Sequence, residues 1–356
     1  MAKMLMKGNE AIAVAALKGG CEAFFGYPIT PQNEIPEYLA RYMIPAGKIF
    51  VQAESEIASI NMVYGAAGAG VRVMTSSSSP GIALMQEGIS YLAGAELPCV
   101  IVNVMRGGPG LGGIQPSQAD YHQITRGGGN GDYQVIAYAP ENLQETVQIV
   151  TEAFDVADCY RNPVMIAVDG LIGQMMESVD PDIEITKREL PPKDWATTGN
   201  STGETRRIIN SLYLDPKDLE KHNLKLKDKY QRIIDNEQRY QLIMSDDAEI
   251  LIVAYGTMAR ICRSALELLR EEGIKAGIVR PISLWPFPLK AFEDFSPTIK
   301  GILCAELSTG QMLDDVKIAV CGRYPIRFFG RTGGMIPEPE EIVHAVKQFL
   351  GEVSHE

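Results

Sequence analysis

The sequence has no pair of cysteines at the short spacing of a metal site or a redox motif. Its 356 residues include six cysteines, all far apart: Cys21, Cys99, Cys159, Cys262, Cys304 and Cys321. The absence of Cys-x-x-Cys excludes the common zinc and iron–sulfur motifs from this chain. Several of these cysteines lie in apolar runs, so we expect buried, reduced thiols and a cytoplasmic compartment.

Positive charge, long apolar runs and histidine clusters are also missing. Lys and Arg number 33 against 45 Asp and Glu, a net charge of −12, which excludes a general nucleic-acid binder. The apolar runs fall well short of the ~20 residues of a membrane-spanning helix, and the N-terminus does not resemble a signal peptide. The four histidines lack metal-ligand spacing, so we expect a soluble protein that binds no metal itself.

Apolar segments alternate with helical ones along most of the chain. Two predicted strands, Cys99–Met105 and residues 164–168, lack the period-two alternation of a half-exposed strand. Such strands are buried on both faces, as in a parallel sheet covered by helices. The pattern predicts two doubly wound α/β domains, residues 1–185 and 243–356. Residues 186–242 predict a charged linker with one exposed amphipathic helix near residues 228–242.

Two prolines bracket Ile29 and Thr30 in the segment Tyr27-Pro28-Ile29-Thr30-Pro31, at the end of a predicted strand. Proline fixes φ, so this turn is stiff and holds the Thr30 hydroxyl in one place. Ligands of open parallel sheets bind at the carboxyl ends of strands, which makes Thr30 a candidate binding residue. A purely structural strand-to-helix turn, with Pro31 at the first helical position, explains the segment equally well.

Two carboxylates, Glu54 and Glu56, begin the next predicted helix. The positive end of the helix dipole favours acids there, and for a lone acid that explanation would suffice. The residues that follow are mostly small, so the helix can pack closely against a neighbour and leave Glu56 largely desolvated. A desolvated carboxyl can share a proton with a ring nitrogen, which makes Glu56 a candidate acid.

Polar groups also follow two further predicted strands. The serine-rich residues 75–81 include Ser78 and could bind an anion or a carbonyl, although serine-rich capping turns are common. Arg106 follows Cys99–Met105 and enters a glycine-rich loop. An arginine at the carboxyl end of a strand suits bidentate capture of a carboxylate. The alternative is an arginine in a surface loop.

These segments resemble motifs of the alpha subunit of the 2-oxoacid:ferredoxin oxidoreductases, which use thiamine diphosphate. The resemblance covers most of the chain and is carried by residues 27–31, 54–56, 74–81, 106–110, 279–281, 305–306, 310–311 and 330–334. It implies a pyrimidine-type thiamine diphosphate-binding fold in the first domain. It implies a transketolase C-terminal-like domain in the second.

The resemblance also implies residue roles. Glu56 would hydrogen-bond the aminopyrimidine ring nitrogen and promote the tautomer that removes the thiazolium C2 proton, with Glu54 as second choice. Thr30 and Arg106 would bind the carbonyl and carboxylate of the oxoacid. The residues implied to contact the cofactor are Tyr27, Pro28, Ile29, Glu56 and Ser78.

The family's usual diphosphate- and magnesium-binding motif, Gly-Asp-Gly ending in Asn-Asn, does not occur here. The resemblance therefore implies a hetero-oligomer in which thiamine diphosphate is shared with a beta subunit that holds the diphosphate and Mg²⁺. A gamma subunit and a ferredoxin-like delta subunit are implied as well, with the iron–sulfur clusters on partner subunits. Such a complex would decarboxylate a 2-oxoacid oxidatively, pass electrons to ferredoxin and transfer the acyl group to coenzyme A.

Residues 110–120 most resemble the branched-chain members of the family and contain no added basic residue for a second carboxylate. This favours 2-oxoisovalerate as the substrate. A 2-oxoglutarate or pyruvate enzyme is the alternative within the family. The missing diphosphate motif argues against a transketolase-type transferase. A non-catalytic scaffold subunit is the alternative that is not an enzyme.

Overall fold

The computed structural model describes residues 3–185, 188–199 and 206–353. Parts of the predicted linker (186–187 and 200–205) and both chain ends (1–2 and 354–356) lie outside the described residues. The first elements are β1 (Met4–Lys7), α1 (Gly8–Lys18), β2 (Ala23–Gly26), α2 (Glu34–Met43), β3 (Ile49–Gln52), α3 (Glu56–Gly68), β4 (Val73–Ser77), α4 (Ser79–Gly94), β5 (Cys99–Met105), α5 (Tyr121–Arg126), β6 (Ile136–Tyr138), α6 (Leu143–Tyr160), β7 (Pro163–Asp169), α7 (Gly170–Gln174) and β8 (Met176–Val179). The later elements are α8 (Pro216–Asn236), β9 (Tyr240–Ile243), β10 (Ile250–Val253), α9 (Gly256–Glu271), β11 (Ala276–Pro281), β12 (Ser283–Trp285), a 3₁₀ helix (Leu289–Phe292), β13 (Gly301–Glu306), α10 (Met312–Val320), β14 (Ile326–Gly330) and α11 (Pro339–Val353).

The first sheet has seven strands in the order β12-β6-β7-β5-β4-β2-β3. Its neighbours are parallel except for β12, which runs antiparallel to β6. Every residue of β5 and β7 is buried. Apolar side chains of α1, α2 and α6 cover one face, and those of α3 and α4 cover the other. The prediction of a parallel sheet between two helical layers is confirmed.

The second sheet has five strands in the order β14-β13-β10-β11-β9, parallel except for β9. Helices α9 and α11 pack on one face of it. A separate two-stranded ribbon joins β1 to β8. The chain therefore has two doubly wound α/β units, as its sequence predicts.

The structure differs from the prediction in strand β12, which follows the second domain's β11 but joins the first sheet. Ser283 pairs with Tyr138 and Trp285 with Ala137. A three-residue strand has too few residues to show periodicity, and its partner is far away in the sequence. The domain boundaries at residues 185 and 243 stay a prediction.

The predicted linker helix is present, but its predicted limits are wrong and one of its faces is buried. Helix α8 runs from Pro216 to Asn236, begins after the N-cap Asp215 and is followed by β9. Its buried side chains Leu226, Tyr230 and Ile233 belong to the core beneath the first sheet. Aspartate followed by proline is an ordinary helix-start signal, so the true start was readable from the sequence.

Buried charges fasten α8 to the first domain. The ammonium of Lys229, 2% exposed, donates to the Arg161 carbonyl at 3.2 Å and lies 3.7 Å from a carboxylate oxygen of Glu96. Burial lowers the pKa of Lys229 to about 8, although the attraction of Glu96 opposes the shift. The exposed Lys225 also pairs with Glu96. The helix therefore carries a cation that is held in a largely dry environment.

The cysteines are mostly but not all buried. Cys159 is half-buried and Cys321 is exposed, while the other four are buried. Burial raises the pKa of the Cys21 thiol to about 12. Within the described ranges, no helix is long and apolar enough to cross a membrane.

We predict that Lys229→Met removes a pH-dependent component of stability. Between pH 8 and 10.5 the unfolded chain keeps a proton that folded Lys229 has lost. The wild type should therefore gain stability relative to the variant as pH rises through this window, by up to about 3 kcal/mol. Urea unfolding at pH 7, 8.5 and 10 measures the difference, and Lys227→Met on the exposed side of α8 is the control. A difference between wild type and Lys229→Met that is constant with pH would contradict the assignment.

Candidate functional site

The Tyr27–Pro31 turn lies at the carboxyl end of β2, and buried side-chain amides hydrogen-bond to its backbone. Tyr27, Pro28 and Thr30 are exposed, whereas Gln32 is fully buried. The Gln32 side chain donates to the Tyr27 carbonyl at 3.2 Å and accepts from the Ser76 hydroxyl at 2.6 Å. The turn is therefore rigid and faces solvent.

A second buried amide holds the end of this turn. Asn9, at the start of α1, donates to the Pro31 carbonyl at 2.7 Å and is fully buried. The sequence does not predict a role for Asn9 or Gln32. Their contacts depend on tertiary structure, so no local sequence pattern reveals them.

Arg106 contacts the same turn from the end of β5. Its Nη1 donates to the Thr30 carbonyl at 2.9 Å and its Nη2 to the Leu111 carbonyl at 3.1 Å. The side chain is 7% exposed, and its Nε has no hydrogen-bond partner among the described residues. The alternative of an arginine in a surface loop is therefore wrong. The structure brings Arg106 and Thr30 together.

Glu56 is buried at the start of α3, while Glu54 is exposed. The N-cap Ser55 accepts from the Ala58 amide at 3.1 Å and so fixes this end of the helix. A Cβ added at Gly81 would lie 2.0 Å from Ser77 Oγ and 2.6 Å from Glu56 Oε1. Only glycine leaves room for the Glu56 carboxyl beside α4. The burial expected from the small-residue helix is found.

The serine-rich stretch places several hydroxyls in the interior. Thr75, Ser77 and Ser78 are fully buried, and their hydroxyls find no hydrogen-bond partner in the described part of the chain. Ser79 differs, because its hydroxyl bonds the backbone amide and carbonyl of Arg106 at 3.0 and 3.3 Å. The stretch thus joins the Glu56 side of the site to the Arg106 side.

Asp120 is a further polar residue of the site, and it ends the loop that follows Arg106. It accepts from the Asn103 amide at 2.9 Å. Burial raises the pKa of Asp120, and hydrogen bonds from Ser79 and Asn103 offset part of that rise. The acid therefore lies behind Ser79, one contact removed from the Arg106 backbone.

The second domain braces the loop that follows Arg106. Gln118 donates to the Tyr255 carbonyl and accepts from the Leu307 amide, both at 2.8 Å. A Cβ added at Gly334, which has φ +90°, would lie 2.2 Å from Gln115 Cβ. The glycine-rich residues 330–334 are thus packed directly against the loop of the candidate site.

Two other second-domain segments, 279–281 and 305–306, have structural explanations. Arg280 forms two hydrogen bonds of 2.8 and 2.6 Å with Glu145 of α6. Glu306, fully buried, accepts from backbone amides at the start of α10, including Met312 and Leu313 at 3.1 Å each. Burial raises the pKa of Glu306, and the hydrogen bonds it accepts oppose the rise. These residues hold the domains together and cap a helix.

A family model described as pyruvate flavodoxin/ferredoxin oxidoreductase, thiamine diphosphate-binding, matches residues 14–240. A second, pyruvate:ferredoxin oxidoreductase core domain II, matches residues 248–342. The chain belongs to the 2-oxoacid:ferredoxin oxidoreductase family. Its fold and the motifs quoted above agree with this membership.

Curated members of this family match over nearly the whole chain. The ketoisovalerate oxidoreductase subunit VorB of Methanothermobacter thermautotrophicus is 47% identical, over 99% of this chain and 100% of its own length. The 2-oxoglutarate synthase subunit KorA of the same organism is 36% identical, over 96% of this chain and 97% of its own.

Solved structures agree with the fold. A chain of the 2-oxoglutarate:ferredoxin oxidoreductase from Magnetococcus marinus superposes with a TM-score of 0.87 at 29% identity. The match covers 98% of this chain but 65% of that one, so the relative's chain is longer. A split-gene transketolase superposes with a TM-score of 0.62 at 17% identity, which supports the fold alone.

The residues present fit the pyrimidine end of thiamine diphosphate. A buried carboxyl at Glu56, the space that Gly81 leaves for it and the exposed 27–30 turn share one edge of the first sheet. Buried hydroxyls without partners among the described residues give this edge unused hydrogen-bonding capacity. Among those residues, no group of three His, Cys, Asp or Glu side chains could hold a metal ion.

Gly81→Ala should displace Glu56 and weaken thiamine diphosphate binding more than about tenfold, because the new methyl overlaps Ser77 and the Glu56 carboxyl. Calorimetric titration of the complex assembled with its partner subunits measures the affinity. The matched control is Gly94→Ala at the other end of α4, where the added carbon lies 3.6 Å from its nearest neighbour. Equal affinities for the two variants would contradict the idea that Gly81 is needed to make room for the Glu56 carboxyl.

Proposed function

We propose that the chain is the alpha subunit of an enzyme that oxidatively decarboxylates 2-oxoisovalerate to an acyl-CoA and CO₂ while reducing ferredoxin. One observation carries the choice of substrate. The chain is 47% and 46% identical to two ketoisovalerate oxidoreductase subunits but 36% and 34% identical to the 2-oxoglutarate synthase subunits of the same two organisms. The chain is thus more similar in sequence to the ketoisovalerate subunits than to the 2-oxoglutarate subunits.

Glu56 acts on the cofactor in this proposal. Thiamine diphosphate supplies the electron sink for the negative charge that decarboxylation leaves. Glu56 is the residue that would hydrogen-bond a nitrogen of the cofactor's pyrimidine ring and so favour its active tautomer. Its burial at a helix N-terminus supports the role, since a buried carboxyl keeps a fixed position from which it can hydrogen-bond a ring nitrogen. Tyr27, Pro28, Ile29 and Ser78 complete the proposed cofactor contacts.

Arg106 and Thr30 bind the oxoacid. The Arg106 guanidinium keeps N–H groups beyond the two that bond carbonyls, and these attract the substrate carboxylate. The exposed Thr30 hydroxyl, on a turn fixed by Gln32 and Asn9, meets the oxo group. Their proximity supports one shared substrate position.

The complex includes other subunits. A beta subunit holds the diphosphate and Mg²⁺, a gamma subunit completes the assembly, and a ferredoxin-like delta subunit carries iron–sulfur clusters and delivers electrons. The subunit names of the relatives and the longer matched chain of the Magnetococcus enzyme support a multi-subunit assembly. The four buried, unpaired cysteines fit a reducing cytoplasm.

Glu56→Gln tests the catalytic role against a scaffold role. The amide cannot hold the proton, so oxoacid-dependent viologen reduction by the reconstituted complex should fall on the order of 10²-fold or more. Glu54→Gln, which removes an exposed carboxylate two positions earlier, should leave the rate within about twofold. Full activity of Glu56→Gln would favour a non-catalytic scaffold.

A further inference from the structure

A pocket of about 490 Å³ opens beside Thr30, and Glu56 is not among its lining residues. It lies between the 27–31 turn, the 114–116 segment, α7 and the second domain. Its lining residues are Thr30, Pro31, Asn33, Glu34, Ile114, Gln115, Pro116, Gly170, Leu171, Gln174 and Ile336. The pocket therefore touches the candidate site through a residue proposed to bind substrate.

Apolar side chains from three separate elements converge on this pocket. Ile114 comes from the loop after β5 and is 55% exposed, an unusual position for an isoleucine. Leu171 belongs to α7, and Ile336 comes from the second domain. Two residues before Ile336, Gly334 packs against Gln115, which also lines the pocket. An apolar wall built this way suits a hydrocarbon group.

The formal charge among the lining residues is negative. Glu34 accepts from Asn9 at 2.7 Å, Gln174 at 2.9 Å and Lys7 at 3.1 Å. Burial alone would raise the pKa of Glu34, but these hydrogen bonds outweigh it and the pKa is lowered. Glu34 is therefore ionised, and the nearby Lys7 is already paired with it. Among the lining residues there is no Lys, Arg or His that could pair with a second substrate carboxylate.

We propose that this pocket receives the hydrocarbon side chain of the 2-oxoacid, with Ile114, Leu171 and Ile336 as specificity-determining residues. The inference rests on the proposed function. It extends that function by assigning the choice of substrate to residues other than those that bind the carboxylate and oxo group. The volume exceeds what an isopropyl group needs, so longer branched 2-oxoacids fit as well. The apolar wall and the lack of a basic side chain among the lining residues together disfavour 2-oxoglutarate.

The first test is the substrate profile of Ile114→Ala and Ile336→Ala in the reconstituted complex. Removing apolar contacts should lower kcat/KM for 2-oxoisovalerate about tenfold, while kcat/KM for pyruvate stays within about threefold, since its methyl group does not reach the wall. Ile318→Ala is the matched control, because this isoleucine is 65% exposed on α10 and outside the pocket lining. Parallel losses for both oxoacids, or a raised KM for coenzyme A alone, overturn the assignment.

A second arm reverses the polarity of the wall. Ile114→Arg should lower kcat/KM for 2-oxoisovalerate and raise it for 2-oxoglutarate. Saturation-transfer NMR on the complex purified without thiamine diphosphate gives a readout apart from turnover. The methyl protons of 2-oxoisovalerate should receive saturation in the wild type and lose most of it in Ile114→Arg. A methyl signal that survives in the variant overturns the pocket.

Failure of the proposed function would look different. In that case the wild-type complex would reduce viologen with none of the three oxoacids. The methyl saturation would still report whether the pocket binds a branched oxoacid. An active wild type with an unchanged variant profile would overturn the pocket alone.

Discussion

The guanidinium of Arg106 donates to the carbonyl oxygens of Thr30 and Leu111, and so joins two loops that are far apart in the sequence. Hydrogen bonds from a charged donor contribute about 1.5–3 kcal/mol each, and a buried donor left unpaired is costly. The position of both loops therefore depends on this residue. A substitution of Arg106 would disturb the Thr30 turn as well as any substrate contact. Among the described residues, Glu56 makes no such link between loops. A substitution of Glu56 therefore tests the proposed catalytic role with less disturbance of the backbone.

The second domain takes part in the site because of how it meets the Arg106 loop. The Gln118 amide bonds backbone atoms of Leu307 and Tyr255, and Gly334 packs against Gln115. The loop is thus confined between a sheet edge and a neighbouring domain. This glycine-rich loop is tied by hydrogen bonds at Arg106 and at Gln118, while residues 108–115 between them are exposed. The loop of the candidate site is thus held by both domains of the chain.

The sequence predicts those parts of the site whose signals are local. A proline-bracketed turn, an acid at a helix start and an arginine after an apolar strand each follow from a few neighbouring residues, and the family resemblance assigned their roles. Gln32, Asn9 and Asp120 support these groups through contacts between distant elements, so no local pattern reveals them. Strand β12 escapes prediction for the same reason. The start of α8 is different, because Asp215 and Pro216 are a local helix-start signal. The amphipathic pattern near residues 228–242 predicts a start that is too late.

In the proposed function, the residues that act on the cofactor and those that select the substrate belong to different elements of this fold. Glu56 and Arg106 lie at strand ends or helix starts of one rigid sheet, where burial and backbone hydrogen bonds fix them. The proposed side-chain pocket instead combines Ile114 of a loop, Leu171 of a short helix and Ile336 of another domain. Substitutions at those three positions would alter the shape and charge of the proposed pocket without moving the edge of the first sheet. If the proposed roles hold, substitutions in the pocket would change the preferred oxoacid while Glu56 and Arg106 stay in place.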